Sequence, residues 1–233
     1  MTYNLSGRLT HIIVGLLLLL SSPLYANATF TNDNLAAGKL VGQWVAATLG
    51  DQKQNARIAF LNPDNPGNSN ASLHNQGFME GFGIDMQAKD ELEMTADKHI
   101  VALITTNTTQ KDGHEAMKKL LTNYPDTSVV YATDGNIAAG ASKAIEDAGK
   151  TEDILIVTTD ESCLSVQMVE TGKISATSLL SPALIGNLGS EKKETQSDIN
   201  ITDINTGATL VTNKPVESIP SIDATHASTK CME

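Results

Sequence analysis

Two aspartates in this 233-residue chain each follow a short β-branched run and open a polar turn. Val129-Val130-Tyr131 leads into Thr133-Asp134-Gly135-Asn136, and Ile154 to Val157 leads into Thr159-Asp160-Glu161-Ser162. Carboxylates placed this way can act as a general acid and base, or they can accept hydrogen bonds from a hydroxylated ligand. The first use needs a nucleophile, metal or cofactor beside them, and the sequence has no pattern for one. Gly135 to Gly140 has the two-glycine spacing of a phosphate loop, but Ala141-Ser142 stands where Lys-Ser/Thr is required. Neither G-x-G-x-x-G nor G-x-S-x-G occurs. His74, His99, His114 and His226 are far apart and lack metal-ligand spacing. The expectation is therefore a binding edge made of hydrogen-bonding groups, with no catalysis and no cofactor.

The two aspartates are positioned by what lies between them. Ile137, Ala141, Ala144, Ile145 and Ala148 recur at helical spacing, and Gly149 closes the segment. A strand–helix–strand unit this short makes the strands parallel and the crossover right-handed. Both strands then end on one edge of the sheet, where open α/β sheets bind ligands. Further apolar runs predict strands at 58–61, 99–104 and 174–180, and residues 209–212 could add a last one. Helical spacing predicts helices near 35–49, 71–83, 113–123, 166–170 and 182–188, with a charged surface connection at 87–98. The expected fold class is α/β: a parallel five-stranded sheet with helices on both faces, followed by a C-terminal tail from Pro215. The loops at the strand ends are rich in hydroxyls and amides and poor in Lys and Arg. Such an edge suits a neutral, hydroxylated ligand better than a phosphate.

Net charge is −11, and aromatic residues make up only 4% of the chain. No basic stripe is available for nucleic acid or for an anionic membrane surface. The N-terminus has Arg8, an apolar run from Ile12 to Leu20, Pro23, and the small-x-small sequence Ala26-Asn27-Ala28. That is the layout of a secretory signal peptide spanning 1–28. The run is shorter than the ~20 residues a membrane span needs, so the processed chain is expected to be exported without a span. Cys163 and Cys231 could pair as a disulfide in an oxidising compartment. The alternative is two separate buried thiols, for which Cys231, in a polar stretch near the end, is poorly placed.

Several stretches, taken in order, resemble the periplasmic sugar-binding proteins of bacterial ABC transporters, of the ribose and fructose type. They are NQGFMEGFGID at 75–85, AMKKLLTNYPDTSVVYATDGNIAAGASKAIEDAG at 116–149, ILIVTTDESC at 154–163, VETGKISATSLLSP at 169–182 and ATLVTNKPVESIPSIDATHASTKC at 208–231. The Cys after the Asp and the Cys near the C-terminus look most like the fructose-type branch. The resemblance implies a type 1 periplasmic-binding-protein fold, in which two α/β lobes close on a monosaccharide. It also implies a periplasmic location and an ABC permease or chemoreceptor as partner.

Carried over by position, the resemblance implies that Asp160, Asp134, His74 and Thr108 bind ligand. Asp160 matches the family's ligand-binding Asp. Asp134 stands where Asn is usual, His74 where Arg is usual, Thr108 near a position often aromatic, and Leu180 where Gln is usual. Residues 29–189 correspond to the second lobe and 190–233 to a return segment and tail. The family's chains begin with roughly three strand–helix units before the Asp-Asn that Asp33-Asn34 resembles. Here the signal peptide runs almost directly into that point, so most of the first lobe is expected to be missing. The competing expectation is a single-lobe remnant or interaction protein that binds little or no sugar.

Overall fold

The apolar runs become the strands of one sheet in the computed structural model, which describes residues 34–65, 69–85, 97–160, 162–180 and 207–231. β1 (Ile58–Pro63), β2 (Ile100–Thr106), β3 (Val129–Ala132), β4 (Leu155–Thr159) and β5 (Ala176–Leu179) are all parallel. They are joined in space by β6 (Thr209–Val211), antiparallel to β5, and by the two-residue β7 (Ser221–Ile222). The spatial order is β2-β1-β3-β4-β5-β6-β7. The helices are α1 (Asn34–Leu49), α2 (Ser69–Phe82), α3 (Gln110–Asn123), α4 (Gly135–Asp147), α5 (Cys163–Glu170) and α6 (Ala224–Cys231), and a 3-10 turn (Gly50–Asn55) follows α1.

Alternating strand residues feed two cores, one on each face of the sheet. Ile58, Phe60, Val129, Tyr131 and Val157 pack under α1 and α2 with Trp44, Phe78 and Phe82. Phe78 stacks on Tyr131, with ring centroids 4.5 Å apart. Ala59, Leu61, Val130, Ala132 and Ile156 pack under α3, α4, α5 and α6. Helices therefore cover both faces, as expected, and strands buried on both faces read as continuous apolar runs.

Glycines set the spacing of α1 on α2. A Cβ on Gly42 would stand 2.0 Å from the Phe78 carbonyl oxygen, and one on Gly77 would stand 2.0 Å from that of Leu35. Gly38 and Gly81 meet the partner backbone in the same way. The two helices therefore run parallel at backbone contact.

The five expected parallel strands are present, and β6 and β7 extend the sheet beyond them. The stretch from Pro215, expected as a tail, is structured. Val216 and Ile219 form a bridge, β7 pairs with β6, and α6 packs on α5. Ala224 and Ala227 are fully buried, and the Asp223 carboxylate accepts from the His226 amide at 2.7 Å. An eight-residue helix whose inward groups are small alanines has too weak an apolar pattern to be seen in sequence. The expected helix at 182–188, the signal peptide at 1–28 and most of the connection at 87–98 lie outside the described residues, as does the side chain of Cys231.

Candidate functional site

The strand order puts a switch point between β1 and β3, because the chain leaves β1 for one side of the sheet and leaves β3 for the other. A crevice at the carboxyl ends of the strands forms at such a point. Here Pro63 at the end of β1 and the loops after β1 (Asp64, Asn65), β2 (Asn107, Thr108, Thr109) and β3 (Thr133, Asp134) surround a cavity of about 420 Å³. That is within the size range of small-molecule sites.

Each wall is fixed by local hydrogen bonds. Asp134 caps α4: its Oδ1 accepts from the amides of Asn136 at 2.9 Å and Ile137 at 3.0 Å. Thr109 caps α3, accepting from the Asp112 amide at 3.1 Å and donating to Asp112 Oδ2 at 2.7 Å. Thr133 Oγ1 donates to Oδ1 of the buried Asn62 at 3.1 Å, which ties the end of β3 to the end of β1.

Asp160 lies on the same edge, at the end of β4. Its Oδ1 accepts from the Ser162 amide at 2.9 Å, and its Oδ2 accepts from the hydroxyls of Ser162 and Ser165, each at 2.9 Å. The carboxylate rests on the start of α4, where a Cβ on Gly135 would stand 1.9 Å from Oδ2. Glycine at 135 therefore allows Asp160 to sit beside Asp134. Below them, the hydroxyl of Tyr131 bonds Thr159 Oγ1, to which Ser178 Oγ donates at 3.3 Å. Burial raises the Tyr131 phenol well above its ordinary pKa, so it stays protonated.

His74 is placed differently. It sits in the second turn of α2, and its Nε2 donates to Asn34 Oδ1 at 2.9 Å, while Asn34 Nδ2 donates to Asn70 Oδ1 at 3.0 Å. Burial pushes its pKa down to about 4, so the ring is neutral at ordinary pH. It faces α1 and does not line the cavity. Leu180 is buried. Of the four expected ligand residues, the structure brings Thr108 and Asp134 onto one cavity, sets Asp160 beside Asp134, and separates His74. The individual residues Asp64, Asn65, Asn107, Thr109 and Thr133 were visible in sequence only as polar loops following strands. Of the expected cysteine pair, Cys163 is half-buried at the start of α5, and α5 packs against α6, which ends at Cys231.

Residues 23–191 match the family described as a periplasmic binding protein domain. The chain belongs to that family. A ribose import binding protein of Haemophilus influenzae is 30% identical over 161 residues, covering 68% of this chain and 48% of the relative. The D-allose-binding periplasmic protein of Escherichia coli is 29% identical over 164 residues, covering 70% and 48%. An ABC transporter periplasmic solute binding protein from Actinobacillus succinogenes, solved with bound D-allose, superposes with a TM-score of 0.58 at 22% identity, covering 79% of this chain and 60% of that one. The chain spans about half the length of the curated relatives it matches. The α/β architecture is thus that of a periplasmic binding protein lobe. Among the described residues, no helix is long and apolar enough to cross a membrane, and no group of His, Cys, Asp and Glu could hold a metal ion.

Proposed function

We propose that this chain is an exported, periplasmic solute-binding protein of a sugar ABC transporter, taking a monosaccharide in the cavity at the switch point. The observation that carries the reading is the lining of that cavity: hydroxyls, amides and the carboxylates of Asp64 and Asp134, brought together from three strand ends. Sugar hydroxyls both donate and accept, and they pair with such a set. The names of the similar ribose and D-allose binding proteins support the same class of ligand. In this reading Asp134 and Thr108 touch the sugar, Asp160 borders it over Gly135, and His74 acts as a positioning residue that fixes α2. A permease or a chemoreceptor is the downstream partner, and the protein catalyses no reaction.

Calorimetric titration with a panel of pentoses and hexoses tests this. The expected result is weak, saturable binding that Asp134→Asn and Thr108→Ala each reduce. Asn keeps the helix cap, so the first variant removes a charged acceptor without unfolding α4. A second reading is an interaction protein with little or no sugar binding. It is favoured by Asp160, whose three hydrogen bonds go to Ser162 and Ser165, and by His74, which is bonded to Asn34. No heat and no thermal shift across the whole panel would decide for that second reading.

A further inference from the structure

We infer that the solute held at the switch-point cavity carries an ammonium group, as in an amino sugar or another polyhydroxylated amine. This rests on the reading of the cavity as a solute site and adds the charge of the ligand. The cavity is contributed by three loops, and among the described residues its lining contains two carboxylates, Asp64 and Asp134, and no Lys, Arg or His. A third carboxylate, Asp160, lies beside Asp134 across the bare Cα of Gly135. His74, the basic side chain that sequence placed at this edge, is instead buried against Asn34 and uncharged. Two helix N-termini border the cavity and favour anions in principle. Their capped amides are already spoken for: Asp134 takes those of Asn136 and Ile137, and Thr109 takes that of Asp112.

A neutral sugar bound here brings no positive charge to these two carboxylates, of which Asp134 is held by the first amides of α4 and Asp64 is met by solvent. An ammonium brings three donors and a positive charge, while the neighbouring Thr and Asn groups still serve hydroxyls. A metal ion fits worse, because the described residues hold no cluster of three ligating side chains. Asp64 is exposed and Asp134 half-buried, so each pairing is a partly screened one. Two such pairs together give a preference of about tenfold for the amine.

The test is calorimetric titration of the full chain with matched probes at neutral pH: D-glucosamine against D-glucose, D-galactosamine against D-galactose, and the N-acetylated form of each amine. The amines are expected to bind about tenfold tighter than their hydroxyl and N-acetyl counterparts. The gap is expected to shrink in high salt and to narrow in both Asp64→Asn and Asp134→Asn. Neutral sugars binding as tightly as the amines would overturn this inference and leave the solute-binding reading standing. Amine binding unchanged in both Asp64→Asn and Asp134→Asn would place the amine elsewhere and also overturn it. No binding by either member of any pair would overturn this inference, and the pentose and hexose panel would then decide the solute-binding reading separately.

Discussion

Acid is expected to destabilise this fold through His74. His74 is 9% exposed, its Nε2 is bonded to Asn34, and its Nδ1 meets no hydrogen-bond partner among the described residues. A proton arriving at Nδ1 would put a charge between two helices held at backbone contact by Gly38, Gly42, Gly77 and Gly81. Burial accordingly lowers the pKa from 6.5 to about 4. In the unfolded chain the imidazole takes its proton near 6.5. In the folded chain it refuses it until about 4. Between those values the unfolded state binds more protons, so stability is full above pH ~6.5 and falls as pH drops toward ~4. The difference amounts to about 3 kcal/mol once both values are passed, and about 2.5 kcal/mol by pH ~4.5. That is a large share of the ~5–15 kcal/mol that holds a domain together. Urea unfolding of the wild type and of His74→Gln across this pH range isolates the effect, because every other titrating group is common to both. The expected outcome is a wild-type curve that loses about 2.5 kcal/mol more than the variant between pH ~7.5 and ~4.5. Parallel curves would refute the assignment of a buried neutral imidazole.

Asp160→Ala removes the acceptor of three hydrogen bonds and strands the fully buried Ser165 hydroxyl. It is expected to cost about 1–3 kcal/mol without any ligand present; an unchanged melting temperature would show that the carboxylate is not part of the scaffold. Gly42→Ala drives a methyl group into the Phe78 carbonyl and forces α1 from α2, a loss of at least about 1–3 kcal/mol by thermal unfolding. The expected Cys163–Cys231 disulfide closes a long loop worth roughly 4 kcal/mol in the chain-entropy model. Thiol counting on the denatured, unreduced protein is expected to find neither cysteine reactive, and two reactive thiols would remove it.

What sequence could and could not show follows from the range of the contacts involved. Val129 to Tyr131 and Ile154 to Val157 are local and apolar, so their strands could be read, and the right-handed crossover fixed which ends met. Thr108 and Asp134 directly follow strands, so their convergence on one edge followed from topology. His74 was beyond reach. Which side of α2 turns toward α1 depends on Gly38, Gly42, Gly77 and Gly81 meeting backbone more than thirty positions away in sequence. The end of the chain was misjudged because Ala224 and Ala227 carry little apolar weight, although both are buried. The serines that hold Asp160 are two and five positions after it, close enough to have been seen as a local cap.

The two aspartates that mark the edge do not stand on equal terms as ligand groups. A carboxylate offers about four lone-pair sites. Asp160 spends three of them, on the Ser162 amide and hydroxyl and on the Ser165 hydroxyl. A sugar or amine could use only the one site left on Oδ1; a second bond to Asp160 would displace a partner such as the fully buried Ser165 hydroxyl. Asp134 spends two, both on Oδ1 and both on amides at the start of α4, and the residue lines the cavity. The resemblance read from sequence favours Asp160. The bonding favours Asp134 as the group that meets the solute, with Asp160 holding β4, α5 and the start of α4 in register. Folding and binding also meet at Asp134: a ligand that donates to Oδ2 fixes the side chain whose Oδ1 caps α4, so solute binding is expected to slow hydrogen exchange of the Asn136 and Ile137 amides.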